Sequence, residues 1–302
     1  MSNFNVKKIL ILGSNGMLGQ RLTNYFFNNP LFEVFCASNE DESVIKETLY
    51  KQIDITNKEE LELLISNFLP HYIINAAAYT NVDKSELEKA LVWNINVAGL
   101  ENISIAANKI NAHVIHISSD YVFDGVNGPY TEKNITNPIG YYGITKLEGE
   151  KVLITSGAKN TIIRTNVLYG PAKYGRPDYV KWVYNELKAG KAIRIVKDQI
   201  NNPTYIDDIV QAINKIIELN IEGLFNIGGA EFLNRFDFTL RIADYFNLDK
   251  SLIEPILTKQ LNQIAKRPLS SGLITEKAKI KFGFEATRIE ETFKLMKEEL
   301  NM

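Results

Sequence analysis

Hydrophobic residues recur in the first half of this chain as short unbroken runs, each closed by polar or small residues and followed by an amphipathic stretch. Lys7 to Leu12 is the first run. Phe32 to Ala37, Gln52 to Thr56, Tyr72 to Tyr79, His113 to Ile117 and Thr161 to Thr165 repeat it. Continuous runs of this kind read as strands buried on both faces of a parallel sheet. Between them, Gln20 to Asn28, Lys58 to Leu69, Leu87 to Asn108 and the stretch containing Tyr142 read as helices. Strands alternating with helices predict an α/β fold with a Rossmann-type doubly wound parallel sheet.

The pattern loosens after residue 165. Tyr179 to Ala189, Asp207 to Leu219, Phe238 to Phe246 and Ile289 to Leu300 read as helices, with strands at Ile193 to Val196 and Leu224 to Gly229. The connections are irregular, which predicts a smaller C-terminal substrate-binding cap over the sheet. Residues 1–165 are expected to form the sheet domain, with a segment of about 196–228 returning to it, and 166–302 to form mainly the cap.

The first strand runs straight into Gly13-Ser14-Asn15-Gly16-Met17-Leu18-Gly19 and then a helix. Strand, glycine turn, helix is a place for a dinucleotide. Gly13 permits the turn, Gly16 lets backbone approach a pyrophosphate, and Gly19 lets the helix pack on the strand. The helix N-terminus favours the negative charge. The second strand ends Cys36-Ala37-Ser38-Asn39 without an acid at its tip, and Glu40 and Asp41 follow late. An NAD-binding site expects an acid there, so the reading leans to NADPH, with NADH as the alternative; Ser38 and Asn39 could bond a 2′-phosphate. Asp54 could cap its region or bind an adenine amino group. Ala76, Ala77 and Ala78 lie where open α/β sheets bind ligands, and small side chains there let a cofactor lie against the backbone. Asn96, among apolar neighbours, either holds backbone beside the active helix or simply packs.

Tyr142-Gly-Ile-Thr-Lys146 places a phenol and an ammonium one helical turn apart on one face. A lysine cation beside a tyrosine favours the phenolate. Bringing the phenol from about 10 to about 7 takes roughly 4 kcal/mol of differential stabilisation. A phenol so poised exchanges a proton with a substrate oxygen. The fifth strand delivers Ser118-Ser119-Asp120-Tyr121 to the same sheet edge, 23 residues before Tyr142. A hydroxyl there can bond a substrate carbonyl.

Composition narrows the classes. The chain has 302 residues and a net charge of −2, which gives no electrostatic case for nucleic acid or an anionic membrane. Cys36 is the one cysteine, which rules out an internal disulfide and fits a reducing compartment. No apolar run reaches the length of a membrane span. A cytoplasmic protein is expected, with no metal: His113 and His116 lack partners at ligand spacing.

These stretches, together with Val82-Asp83-Lys84, Arg164-Thr165, Tyr169-Gly170, Asp198-Gln199, Pro203-Thr204 and Arg267-Pro268, run over nearly the whole chain. They resemble the extended short-chain dehydrogenase/reductase superfamily and, within it, the dTDP-4-dehydrorhamnose reductases. The resemblance implies NADPH-dependent reduction of the C4 keto group of a dTDP-linked 6-deoxy sugar. It makes Tyr142 the proton donor, Lys146 the group that lowers its pKa and holds the nicotinamide ribose, and Ser119 the carbonyl polariser. Residues Gly13 to Gly19, Ser38, Asn39, Asp54, Ile55, Ala76 to Ala78, Tyr79 and Asn96 would serve the cofactor. Asp120, Tyr121, Asn166 and Val167 would serve the nucleotide-sugar substrate. A homodimer is the assembly it allows. The family commonly carries a tryptophan after Arg164, where this chain has Asn166-Val167, so an aromatic platform for the sugar is missing from that position. Two alternatives follow: a reductase or epimerase for another nucleotide-linked keto sugar, and a non-catalytic NADP-binding regulatory subunit.

Overall fold

The computed structural model describes residues 6–300. Strands β1 (Lys7–Leu12), β2 (Phe32–Ser38), β3 (Leu49–Gln52), β4 (Tyr72–Asn75), β5 (His113–Ser119) and β6 (Asn160–Thr165) are joined by a seventh strand, Gly223–Asn226. All seven are parallel, in the order Gly223–Asn226, β6, β5, β4, β1, β2, β3. The order reverses between β1 and β4, and the carboxyl ends of those two strands open the crevice where such sheets bind ligands.

Both faces of the sheet are covered, which is why its strands are apolar throughout. On one face, Leu18, Leu22 and Phe26 of the Met17–Phe27 helix pack with Ile209, Ile213 and Ile216 of the Ile206–Leu219 helix. On the other, Leu61 and Leu64 of the Lys58–Phe68 helix meet Leu100 and Ile103 of the Gly99–Lys109 helix, and Leu153 of the Tyr141–Thr155 helix.

Three local expectations change. The third strand comes earlier than the sequence suggests, at Leu49–Gln52, and Ile53 to Thr56 form a turn in which Asp54 Oδ1 accepts from the Thr56 amide and hydroxyl, both at 2.8 Å. The fourth strand stops at Asn75, leaving the three alanines in a loop. The long helix expected over 87–108 is interrupted by a π-turn, Asn94–Ala98, which places Asn96. Single π-turns inside helices are frequent at functional sites.

Part of the chain after residue 165 builds a second core. Val180, Val183 and Leu187 of the Tyr179–Lys188 helix pack with Phe238 and Ile242 of the Arg235–Tyr245 helix and with Phe293 of the Ile289–Leu300 helix. Ile193–Val196 pairs in parallel with Ile253–Ile256, away from the large sheet. The Ile206–Leu219 helix, the Gly223–Asn226 strand and the Glu276–Phe282 helix, through Ala278 and Phe282, are later segments that pack with the sheet.

Candidate active site

Glycine chemistry builds the crevice. Gly13 has φ +79°, a conformation that disfavours a side chain, and a Cβ on it would lie 2.6 Å from the Ala77 amide nitrogen. A Cβ on Gly19 would lie 2.1 Å from the Gly13 carbonyl oxygen, so the helix can close on the turn only without one. Gly16 caps the Met17–Phe27 helix without a side-chain hydrogen bond, and no acidic residue stands in the first turn. The amides of Met17, Leu18 and Gly19 are the unpaired donors of that terminus; Leu18 itself points into the core. Ser14 is buried with no partner for its hydroxyl.

A cavity of about 250 Å³ follows, lined by Gly13 and Gly16, by Ala37, Ser38 and Asn39, and by Ile53, Asp54 and Ile55. Ala76, Ala77, Ala78 and Glu40 complete this wall. The residues fit a dinucleotide: free amides for the diphosphate, a backbone bare of side chains beside it, and an apolar slot with polar edges for the adenosine. The acid absent from the strand tip arrives here as Glu40. Its carboxylate accepts from the Ser38 hydroxyl at 2.5 Å and from Asn15 Nδ2 at 3.3 Å. Asn15 also donates to the Glu42 carbonyl and accepts from the Val44 amide, so it shapes the wall.

Tyr142 stands at the start of the Tyr141–Thr155 helix, half-buried, with Tyr121 edge-on at 5.5 Å between ring centroids. Gly143 allows this approach, since a Cβ there would lie 2.1 Å from the Tyr121 carbonyl. Burial holds the Tyr142 phenol well above its ordinary pKa; a hydrogen bond with Ser119 opposes the rise, and Asp120 and Tyr121 add to it. Lys146, which the sequence reading expects to lower this phenol, is not among the groups that shift it. Its ammonium turns to the sheet, donating to the Ile117 carbonyl at 2.7 Å, with His116 Nε2 at 3.3 Å. Burial lowers Lys146 to about 8, against the charge of Glu150. The phenol stays protonated at neutral pH, as a proton donor must.

Ser119 is buried, and its hydroxyl donates to Asp120 Oδ1 at 3.0 Å and accepts from the Tyr121 amide at 3.2 Å. Asp120 is not open to a substrate. Its other oxygen accepts from Ser271 at 2.5 Å, and burial raises it to about 6. Asn166 does not reach the site either: Nδ2 donates to Asn202 at 2.6 Å and Oδ1 accepts from Thr204 at 2.8 Å, an inner knot under the cap. Val167 receives the Thr204 amide on its carbonyl. Asn96 is a brace. It accepts from the Tyr79 amide at 2.9 Å, donates to the Tyr79 carbonyl at 3.2 Å and to Thr145 Oγ1 at 3.0 Å, tying the alanine loop to the Tyr141–Thr155 helix. Tyr79 spends its hydroxyl on Glu88.

Beyond Tyr121 opens a groove of about 320 Å³ under the cap, whose walls include Tyr179, Trp182, Arg194, Arg235 and Arg267. Arg235 lies over the Tyr179 ring at 5.4 Å, and its buried Nε has no partner. Arg267 is held by Asp83 at 2.9 Å, which joins the Val82-Asp83-Lys84 and Arg267-Pro268 stretches in space. Sequence reading took Glu40 only as an acid that follows the strand late, and did not single out Tyr179, Trp182, Arg194 or Arg235 for the site. An arginine in an irregular cap carries no periodic signal.

A glycine crevice at a strand-order reversal, with Ser, Tyr and Lys gathered at its edge, defines an NAD(P)-dependent oxidoreductase of the extended short-chain dehydrogenase/reductase type. The comparisons agree and narrow it: the family described as RmlD substrate binding domain matches residues 7–302, and this chain belongs to that family. It is 34% identical to the dTDP-4-dehydrorhamnose reductase of Aggregatibacter actinomycetemcomitans, over 92% of this chain and 94% of that one. It is 30% identical to methionine adenosyltransferase 2 subunit beta of Rattus norvegicus, over 90% and 81%. The crystal structure of dTDP-4-dehydrorhamnose reductase from Bacillus anthracis in complex with NADP superposes with a TM-score of 0.87 at 30% identity, over 97% of this chain and 99% of that one. No helix among the described residues is long and apolar enough to cross a membrane.

Proposed function

We propose that this chain reduces the C4 keto group of dTDP-4-dehydro-6-deoxy-L-mannose (dTDP-4-dehydrorhamnose) to give dTDP-L-rhamnose. The observation that carries the reading is the groove lined by Tyr121, whose ring packs edge-on against Tyr142. Arg194, Arg235 and Arg267 line it together with the rings of Tyr179 and Trp182, and Tyr121 separates it from the proposed proton donor. Guanidinium groups suit a diphosphate, and aromatic faces suit a base or a sugar. Tyr179 and Trp182 thus offer from the cap the platform that Asn166-Val167 does not. The relatives named as dTDP-4-dehydrorhamnose reductases support the substrate.

A bound NAD(P)H supplies the hydride. Free amides at the start of the Met17–Phe27 helix would hold its diphosphate, and Ala76 to Ala78 would leave room beside them. Tyr142 gives its proton to the oxygen as negative charge develops there. A phenol raised by burial remains a competent acid because an alkoxide is the stronger base. Ser119 polarises the carbonyl once its hydroxyl rotates from Asp120 towards the groove. The diphosphate handle, bound far from the reacting carbon, helps to orient the keto group.

The test follows oxidation of the reduced dinucleotide with the keto sugar nucleotide. Tyr142→Phe is expected to lower kcat by about 10²- to 10⁴-fold. Equal rates in variant and wild type would remove Tyr142 from the role of acid. The similarity to methionine adenosyltransferase beta subunits motivates a second reading, a regulatory subunit that keeps the dinucleotide as a structural ligand. A stable complex with a methionine adenosyltransferase, with no turnover on any keto sugar, would favour it. A lysine kept 2% exposed behind a phenol speaks against it, because a scaffold gains nothing from burying an ionisable group.

A further inference from the structure

Behind the catalytic face, three side chains form a line into the sheet. Asn75, His116 and Lys146 are 2%, 1% and 2% exposed. Asn75 ends β4 and His116 is its register partner on β5; Lys146 reaches down from the catalytic helix. The Ala77 amide donates to Asn75 Oδ1 at 3.1 Å. That bond sets the orientation of the Asn75 amide, so Nδ2 faces His116 Nδ1, 3.1 Å away. An amide NH₂ only donates, so Nδ1 accepts. Burial keeps His116 neutral, with Lys146 adding to the effect, and a neutral imidazole has one proton. That proton sits on Nε2, 3.3 Å from Lys146 Nζ. An ammonium has three donors and no acceptor, so it meets Nε2–H donor to donor. A neutral amine accepts that proton on its lone pair while still donating to the Ile117 carbonyl.

We propose that Asn75 locks His116 in its Nε2–H tautomer, and that His116 is thereby a positioning residue that stabilises the neutral amine of Lys146. The inference rests on the reductase reading only for its catalytic consequence. Lys146 becomes a proton source rather than a fixed charge. After Tyr142 has protonated the substrate, an N–H bond breaks at Nζ and, with a water passing the proton across the gap between the two side chains, an O–H bond re-forms at Tyr142, leaving both groups neutral. Solvent then returns the proton to the lysine. The other groups around Lys146 permit this. Glu150, one turn further along the helix, favours the ammonium, but Arg164 takes both of its oxygens at 2.9 and 2.6 Å and Ser118 donates to one of them. Asn75 and His116 come from the neighbouring strands without charge, and Asn96 and Thr145 on the adjoining turns are neutral.

Asn75→Asp tests it with almost no change of shape. A carboxylate accepts from the Ala77 amide and also from an Nδ1–H, so it moves the imidazole proton and makes Nε2 an acceptor for the ammonium. The chain has three histidines, which makes ¹⁵N NMR of the ring nitrogens tractable. The wild type is expected to show His116 protonated on Nε2, and Asn75→Asp on Nδ1. In parallel, the alkaline limb of the kcat profile, near pH 8 in the wild type, is expected to move up by about one pH unit or more in Asn75→Asp. His116→Gln, which can offer its amide oxygen to the ammonium, should move the limb the same way if the aspartate variant fails to fold. A wild-type His116 protonated on Nδ1 would overturn the proposal, whatever the activity. So would a fall in kcat with the limb unmoved in both variants. Nε2 protonation in a wild type that turns over no keto sugar would sustain the lock and sink the reductase reading instead.

Discussion

The dinucleotide crevice and the cap groove are built in opposite ways. In the crevice the working groups are mostly backbone: helix amides, a glycine turn, and an alanine loop 2.6 Å from a missing Cβ. In the groove they are side chains from scattered places, with Tyr179 and Trp182 from one helix, Arg194 from a strand, Arg235 from a second helix and Arg267 from a late loop. A backbone site is fixed by the fold that carries it. A side-chain site can be rebuilt residue by residue, so it is where relatives of one fold part company over substrate. If that contrast is right, damage to the sheet side should cost stability or cofactor, and damage to the cap side should cost substrate alone.

The largest effect is expected where the catalytic helix is pinned to the sheet. Glu150 and Arg164 form a two-bond pair at 2.9 and 2.6 Å, both nearly fully buried, and Ser118 completes it. Removing one partner leaves a buried charge without its complement, at about 3–5 kcal/mol. Glu150→Ala should therefore lower the unfolding free energy in urea by about that much. A loss under about 1 kcal/mol would mean that solvent reaches Arg164 and that the sheet side is less rigid than the contrast requires.

Next comes the cap. Arg235→Ala should raise KM for the sugar nucleotide by roughly 10- to 100-fold, the worth of one or two hydrogen bonds to a charged group. Dinucleotide affinity, measured by calorimetry, should stay within about twofold. A parallel loss of both affinities would break the contrast, because it would place Arg235 in a network shared by the two sites. Its unpaired Nε argues that it is held ready for an anion rather than for a protein partner.

The same contrast explains what could be read from the chain. The parallel sheet was legible because its strands are buried on both faces and so appear as unbroken apolar runs. The glycine turn was legible because it depends on positions whose side chains must be absent, and absence survives in one dimension. Ser119, Tyr142 and Lys146 were legible from one strand end and one helical turn. Their electrostatics were not: whether Lys146 acts on Tyr142 or on the sheet depends on where its side chain turns, and that is decided by Ile117 and His116. Asp120 and Asn166 carried motif signals for substrate, yet both are consumed by partners more than thirty residues away, Ser271 and Asn202. Arg235 had no signal at all until the cap folded.

The smallest effect expected is at Glu40, and it tests a place where the crevice depends on side chains. Its carboxylate is exposed but tethered by Ser38 and Asn15, and no lysine or arginine lines the cavity it borders. A ribose 2′-hydroxyl can donate to such a carboxylate; a 2′-phosphate brings like charge to it. Glu40→Gln keeps the length and the hydrogen-bonding oxygen and deletes the charge. The ratio of NADPH to NADH affinity should therefore rise by about five- to tenfold, a modest change because water screens an exposed pair. Fluorescence titration of each dinucleotide at low and high salt separates the causes. A charge effect shrinks as salt rises, whereas a lost hydrogen bond does not. A ratio that fails to move at low salt would mean that the carboxylate swings clear of the ribose, and selectivity on this side would then rest with the backbone as everything else there does.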